Sequence, residues 1–151
     1  MPDLLSNEIR SWIGRSAPPI RLEVSRRDII KYSIATEQTK KIHLEGDIAP
    51  PMFLFGADKP LVSMSDLAKD GLAKDILTPP LPLKRVMAGG IRQKYFREIK
   101  AGDKLLIQKK IVDIYQKEGR GGPLIFVVYH ISIQDENENV VMEITQSRIN
   151  R

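Results

Sequence analysis

The chain has 151 residues, of which 24 are Lys or Arg and 19 are Asp or Glu, so its formal net charge is +5. Hydrophobic residues make up 42% and charged residues 28% of the sequence, which excludes wholesale disorder and suits one domain of ordinary size. The absence of Cys excludes a disulfide framework and a cysteine nucleophile. Since the two His residues are far apart in sequence, we also predict no metal site and no cofactor.

The sequence predicts neither a targeting signal nor a membrane-spanning segment. The first eight residues lack the basic-then-apolar pattern of a secretory signal peptide. The longest apolar run, residues 124–129, is far too short to span a bilayer. We therefore expect a cytoplasmic protein that does not associate with membranes.

The N-terminal segment predicts a short helix followed by a strand. Apolar residues near helical spacing favour a helix over residues 3–13, within a leading helical segment 1–15, and Gly14 is a typical stop. Residues 20–24 then alternate apolar with charged side chains, as a half-buried strand does.

A second helix is predicted over residues 26–36. Ser25 is a favourable N-cap, and Asp28 three residues later completes a capping-box pattern. Ile30 and Ile34 stand one turn apart on one side, with Ile29 and Tyr32 adjacent, so we expect an apolar side there.

The middle of the chain is predicted to be mostly irregular. Gly and Pro punctuate residues 37–62, and the apolar run 52–55 inside this stretch either lines a ligand channel or belongs to the core or a subunit interface. A short helix is possible over 64–70. Pro residues then make 79–82 stiff and extended.

The second half predicts an antiparallel sheet. Its segments are rich in β-branched residues and are separated by short turns, which parallel strands do not allow. The predicted strands cover residues 91–99, 104–116, 123–134 and 139–149. A helix followed by a curled antiparallel sheet gives an α+β class.

The order of these pieces resembles the hot-dog fold, and more narrowly the N-terminal domain of MaoC-like dehydratases. The resemblance covers residues 13–150 of what we expect to be a single hot-dog domain, 1–151. It depends on the strand–cap–helix unit and on four sequence blocks, residues 49–54, 85–90, 99–103 and 118–127.

This resemblance implies chemistry on acyl thioesters, namely addition or removal of water across the 2,3-bond. Catalytic members use an Asp and a His separated by four residues as general acid and base. His43 falls at the position of the family's His, but Gln38 stands where the Asp is expected. Because an amide cannot exchange a proton near neutral pH, the pair is incomplete. Glu37 is a possible but displaced substitute.

Several residues are predicted to bind the thioester. Gly89 and Gly90 would polarise the thioester carbonyl through their N–H groups, or simply form a bend entering a strand. Lys40, Lys41 and Arg120 would contact phosphates or an acidic carrier protein, or would be solvated surface charges.

We therefore predict an accessory, catalytically incomplete hot-dog subunit of an enoyl- or 3-hydroxyacyl-thioester hydratase or dehydratase. Its expected partner is a catalytic MaoC-type chain, or a second copy in a homodimer, and its ligand is an acyl-coenzyme A or acyl-carrier-protein thioester. The alternative is a non-enzymatic module that binds or senses acyl thioesters. A basic nucleic-acid binder is disfavoured, because aromatic residues make up only 6% of the chain and none is interleaved with the basic residues.

Overall fold

A five-stranded antiparallel sheet forms the body of the protein. The computed structural model describes residues 2–151, and its strands are β1 (Ile20–Glu23), β2 (Val86–Tyr95), β3 (Lys104–Gly119), β4 (Gly122–Gln134) and β5 (Val140–Asn150). The strands are ordered β1-β3-β4-β5-β2 across the sheet. β3, β4 and β5 form the predicted meander, whereas β2 lies at the far edge and pairs with β5.

The pairing of β2 corrects one expectation from the sequence. The predicted strand over 91–99 begins five residues earlier and ends at Tyr95, and it does not pair with its sequence neighbour β3. The chain turns away after β2 because Ala49 and Ile99 join through a backbone hydrogen bond of 2.8 Å, and the Ile99 side chain is buried in the core. Residues 96–103 therefore cross to the other side of the sheet instead of closing a hairpin.

Within residues 2–151, three short α-helices precede β2: α1 (Asn7–Arg10) lies before β1, and α2 (Arg26–Ala35) and α3 (Lys41–Leu44) lie between β1 and β2. The prediction for α2 is confirmed, and the Ser25 side chain caps it by accepting a hydrogen bond from the Asp28 N–H at 3.0 Å. The predicted apolar side of α2 is wrong for Ile34. Ile29 and Ser33 are the residues that α2 buries, whereas Ile34 is 65% exposed.

The other two helix predictions are wrong in extent. α1 covers four residues of the predicted 3–13, because Ser6 caps the chain there and the Gly14 N–H bonds to the Ile111 carbonyl of β3. The predicted helix over 64–70 is reduced to a 3₁₀ turn, Met64–Asp66, and α3 lies in a stretch that the sequence predicted to be irregular. Among residues 2–151, the structure contains no helix that is long and apolar enough to cross a membrane.

The core lies on one face of the sheet, which we call the inner face. Alternate residues of β4, from Ile125 to Ile133, are buried on this face. α2 covers it near β1 through Ile29, and residues 56–84, which we call the strap, cover its other end through Leu77 and Leu81. Two apolar clusters result, one beneath the helix and one beneath the strap.

Buried polar contacts attach the strap to the sheet. The Lys109 ammonium lies 2.9 Å from Asp58 Oδ2 and 3.3 Å from Asp75 Oδ2, and both Lys109 and Asp58 side chains are only 6% exposed. The Tyr129 hydroxyl donates to the Leu77 carbonyl at 3.0 Å. These contacts fix the strap over β3 and β4 although it has almost no regular secondary structure.

Candidate functional site

His43 is buried at the bottom of a cleft, although it lies on the short helix α3. His43 is 8% exposed, and its ring nitrogen Nδ1 lies 2.7 Å from the carbonyl oxygen of Ile48. Because a carbonyl only accepts hydrogen bonds, we infer that Nδ1 carries the proton in the neutral ring. The lone pair then sits on Nε2, which is the nitrogen able to take a proton from a ligand or a water molecule.

The cleft has a volume of about 400 Å³ and is mostly apolar. Its walls are α3, residues 48–54 and the stretch 95–99 after the edge strand. Pro50, Pro51 and Phe53 belong to one wall, so part of the apolar run 52–55 lines the cleft. The polar side chains that line it are Lys40, His43, Arg97 and Glu98, besides the phenol of Tyr95.

The wall opposite α3 is fastened by two side chains. The Tyr95 hydroxyl accepts a hydrogen bond from the Met52 N–H at 3.3 Å, which ties the 50–53 turn to β2. Arg97 donates to Asp103 at 2.8 Å, and this hydrogen bond raises the pKa of the guanidinium above its usual value. Arg97 is thus committed to a structural ion pair.

Of the residues predicted to form the site, the structure brings together His43 and Lys40. The Lys40 side chain is exposed at the rim and forms no salt bridge within residues 2–151. Lys41 points away from the cleft lining and pairs with Glu45 at 3.5 Å. Lys40 is therefore the cation best placed to meet an anionic part of a ligand at this cleft.

Neither Glu37 nor Gln38 lines the cleft. Glu37 is exposed on the turn after α2 with a φ of 53°, in the left-handed region. The Gln38 N–H bonds to the Ser33 carbonyl at 2.9 Å, and its side-chain amide donates to Thr36 Oγ1 at 3.2 Å. The two residues thus belong to the helix terminus, and neither carries a carboxylate into the cleft.

Gly89 and Gly90 lie at the opposite end of β2, in a β-bulge. The Gly90 N–H donates to Ser147 Oγ at 3.0 Å, and a Cβ atom on Gly89 would clash with the same oxygen. The local geometry therefore requires glycine at position 89 for close packing on β5. Arg120 lies in the turn between β3 and β4, and neither it nor the two glycines lines the cleft.

Sequence patterns did not indicate the lining residues Tyr95, Arg97 and Glu98, of which Glu98 carries the carboxylate that has no salt bridge within residues 2–151. Glu98 is exposed, and it follows the last residue of β2 by three positions in a stretch that the sequence predicted to be strand. No spacing rule links it to His43, because the two residues approach the cleft from different sides of the fold. Within residues 2–151, no group of three or more His, Cys, Asp or Glu side chains could hold a metal ion.

The comparisons with known proteins agree on one family. The family model described as "FAS1-like, dehydratase domain region" matches residues 11–144. A mesaconyl-C(4)-CoA hydratase of Chloroflexus aurantiacus is 26% identical over 142 residues, which cover 93% of this chain and 50% of that protein. The chain thus spans about half the length of the curated relative that it matches.

Solved structures confirm the α+β hot-dog fold. The truncated HadBC (3R-hydroxyacyl-ACP dehydratase) complex of Mycobacterium tuberculosis has a TM-score of 0.68 at 15% identity, covering 92% of this chain and 97% of the other. The ChsH1–ChsH2 complex of the same organism has a TM-score of 0.69 at 18% identity, covering 95% and 88% respectively. At such identities the likeness shows the fold.

Proposed function

This chain belongs to the FAS1-like dehydratase-region family, which consists of MaoC-like hot-dog dehydratase domains, and we propose that it is the accessory subunit of a hydratase or dehydratase for enoyl or 3-hydroxyacyl thioesters. In this proposal the chain forms a wall of the acyl site, and a catalytic MaoC-type chain supplies the reacting carboxylate. The proposal includes a cytoplasmic location.

The observation that carries the proposal is the chemistry of the His43 cleft. Hydration of an enoyl thioester adds the oxygen of water to C3 and a proton to C2, so one group must accept a proton from water while another donates one to C2. Nε2 of His43 is able to do one of these tasks. Gln38 is unable to do the other, and Glu37 lies outside the cleft.

Glu98 does not replace the missing acid in this proposal. It lines the cleft from the stretch that follows β2 and is open to solvent. Glu98 shares the cleft lining with the cations Arg97 and Lys40 and is not held against His43 by any hydrogen bond or salt bridge of the described residues. We therefore assign the missing proton-transfer group to the catalytic chain.

The free edge of the sheet supports pairing with another chain. β2 pairs with β5 on one side only, so its outer backbone groups have no partner strand within residues 2–151. Val86, Met87, Ile91, Tyr95 and the adjoining Phe96 are all exposed large hydrophobic residues. An exposed, apolar edge of this length is unfavourable in a free monomer and is normally covered. The solved structures named HadBC and ChsH1–ChsH2 are complexes of two chains.

The lining of the cleft supports an acyl thioester as its ligand. Its apolar lining suits an acyl group, and Lys40 at the rim suits the phosphates of coenzyme A or an acidic carrier protein. The curated relative is itself named as a hydratase of a coenzyme A thioester. The same lining would also suit a module that binds acyl thioesters and never turns them over.

Reconstitution tests the proposal. Purified chain is mixed with a MaoC-type catalytic chain bearing the Asp–His pair, and hydration of crotonyl-coenzyme A is followed by the loss of enoyl absorbance. We expect negligible turnover by this chain alone and a rate with both chains above that of the catalytic chain alone. Thioester binding without any gain from such a partner would instead support the non-enzymatic module.

A further inference from the structure

The inner face of the sheet is polar where β5 meets β2. Residues that face each other across antiparallel strands lie on the same face, and the register aligns Arg148 with Ala88 on β2 and with Val127 on β4. The neighbouring row contains Gln146 and Tyr129. Since Val127 and Tyr129 are buried in the cluster beneath the strap, the Arg148 guanidinium also lies beneath the strap.

Arg148 is an arginine with unused donors. Its Nε and Nη2 atoms are shielded from solvent and have no hydrogen-bond partner. Its remaining contacts are weak, with Nη1 3.4 Å from Thr78 Oγ1 and the guanidinium carbon 5.7 Å from the centre of the Tyr129 ring. A shielded guanidinium without an acceptor is costly, and fixed N–H groups of this kind pair best with a carboxylate in a bidentate arrangement.

No carboxylate within residues 2–151 forms a salt bridge with Arg148. Asp58 and Asp75 are both engaged by Lys109. Burial raises the pKa of Tyr129 to about 12, so its hydroxyl is neutral and donates to a backbone carbonyl. The nearest orphaned acceptor by register is Oδ1 of Asn150, which is uncharged and leaves the positive charge unbalanced.

Pairing through β2 brings this arginine close to the active site of the other chain. Two edge strands related by a twofold axis perpendicular to the sheet run antiparallel. The His43 cleft adjoins Tyr95 at the end of β2, and Tyr95 lies opposite Met142 of β5. Arg148 lies six residues further along β5, which corresponds to about 20 Å of strand. A twofold axis near the middle of β2 would therefore place the cleft of each chain against the Arg148 end of the other.

We propose that Arg148 binds a carboxylate on the acyl group of a thioester held by the paired chain, so that the substrate is the thioester of a dicarboxylic acid. This inference rests on the proposed function, because it requires edge pairing and a thioester ligand. The unpartnered N–H groups of Arg148 point to a carboxylate as the anion, and the antiparallel edge points to the paired chain as the one that presents it.

Two matched thioesters test this assignment. Succinyl-coenzyme A and butyryl-coenzyme A both carry four-carbon acyl groups, and only the first ends in a carboxylate; free coenzyme A reports binding of the phosphates alone. Their dissociation constants are measured by calorimetry on full-length chain at concentrations where it is paired, either with itself or with a catalytic chain. We expect succinyl-coenzyme A to bind about tenfold or more tightly than butyryl-coenzyme A.

The variants separate Arg148 from general charge effects. Arg148→Met should remove the preference for succinyl-coenzyme A and leave the affinity for butyryl-coenzyme A and free coenzyme A unchanged, whereas Arg148→Lys should retain part of it. Arg92→Met is the matched control. Ile91 pairs with Gln146 on the inner face, so its neighbour Arg92, an exposed arginine of β2, lies on the outer face and away from Arg148. Thermal melting confirms that each variant is folded.

The outcomes distinguish this inference from the proposed function. Equal binding of the two thioesters, or a preference that survives Arg148→Met, would overturn the role of Arg148 and leave the proposed function standing. An equal loss of affinity for all three ligands in Arg148→Met would assign Arg148 to the coenzyme A phosphates and refute a dicarboxylic substrate. If neither thioester binds, both the inference and the thioester site fall.

Discussion

Replacing Lys109 with Met should be among the most destabilising substitutions in the protein. The ammonium group lies between Asp58 and Asp75, and removing it leaves the 6% exposed carboxylate of Asp58 without a partner. Removing one member of a buried ion pair typically costs about 3–5 kcal/mol, because the remaining charge is left uncompensated. Asp75 loses less, since Lys59 still lies 3.9 Å away.

Chemical denaturation at neutral pH measures this effect as a change in the free energy of unfolding. Lys59→Met is the matched control, because Lys59 is more than half exposed and its contact with Asp75 is long, so its loss should cost less than about 1 kcal/mol. Lys109→Met combined with Asp58→Leu should recover part of the stability. A cost for Lys109→Met no larger than that for Lys59→Met would refute the claim that this ion pair fastens the strap.

Three further outcomes follow from the structure. Tyr129→Phe should cost about 1–3 kcal/mol in a denaturant titration, because it leaves the buried Leu77 carbonyl without its donor; an unchanged midpoint would show that this bond is dispensable. Burial alone would raise the pKa of Asp75, but the Leu77 N–H and the Lys109 charge outweigh it and lower this pKa below 3.8. The stabilising contribution of Asp75 is therefore present above the unfolded pKa of 3.8 and is lost as the pH falls through the lower folded pKa, and Asp75→Asn should flatten the acid limb of the stability profile; an acid limb as steep as in wild type would contradict this. Ile91→Lys should weaken self-association, or pairing with a catalytic chain, in sedimentation experiments, because it places a charge at the β2 edge. Ile34→Lys, at an exposed apolar position of α2, should have no effect.

Local signals in the sequence were sufficient for much of the fold. Ser25 and Asp28 predicted the start of α2 because a capping box is completed within four residues, and the structure contains that hydrogen bond. The meander of β3, β4 and β5 was predictable because short turns connect neighbours directly. The family resemblance added the hot-dog arrangement, which local patterns alone do not specify.

Non-local contacts account for the misses. β2 joins β5 across the sheet because residues 96–103 are drawn to the core beside Ala49, and nothing within β2 itself indicates this. Ile34 is exposed although it satisfies helical spacing with Ile30, because the sheet below α2 selects Ile29. The buried ion pairs of Lys109 have no local signal, since both carboxylate partners are more than thirty residues away in sequence.

The candidate site was predictable in part. His43 was identified through the family pattern, and the structure places it in a cleft together with Lys40. The lining residue Glu98 and the unpaired donors of Arg148 had no signal in the sequence, because each depends on which strands become neighbours. The roles of the predicted site residues, and the single-domain extent 1–151, remain predictions for experiment.

A single-turnover assay on the purified chain most directly tests whether it lacks a complete proton-transfer pair. Chain in large excess over crotonyl-coenzyme A is quenched at intervals, and 3-hydroxybutyryl-coenzyme A is quantified against a buffer blank. We predict that the thioester is bound but that product forms no faster than in buffer. Product that accumulates in proportion to the chain and disappears in His43→Ala would show that this polypeptide completes the hydration unaided.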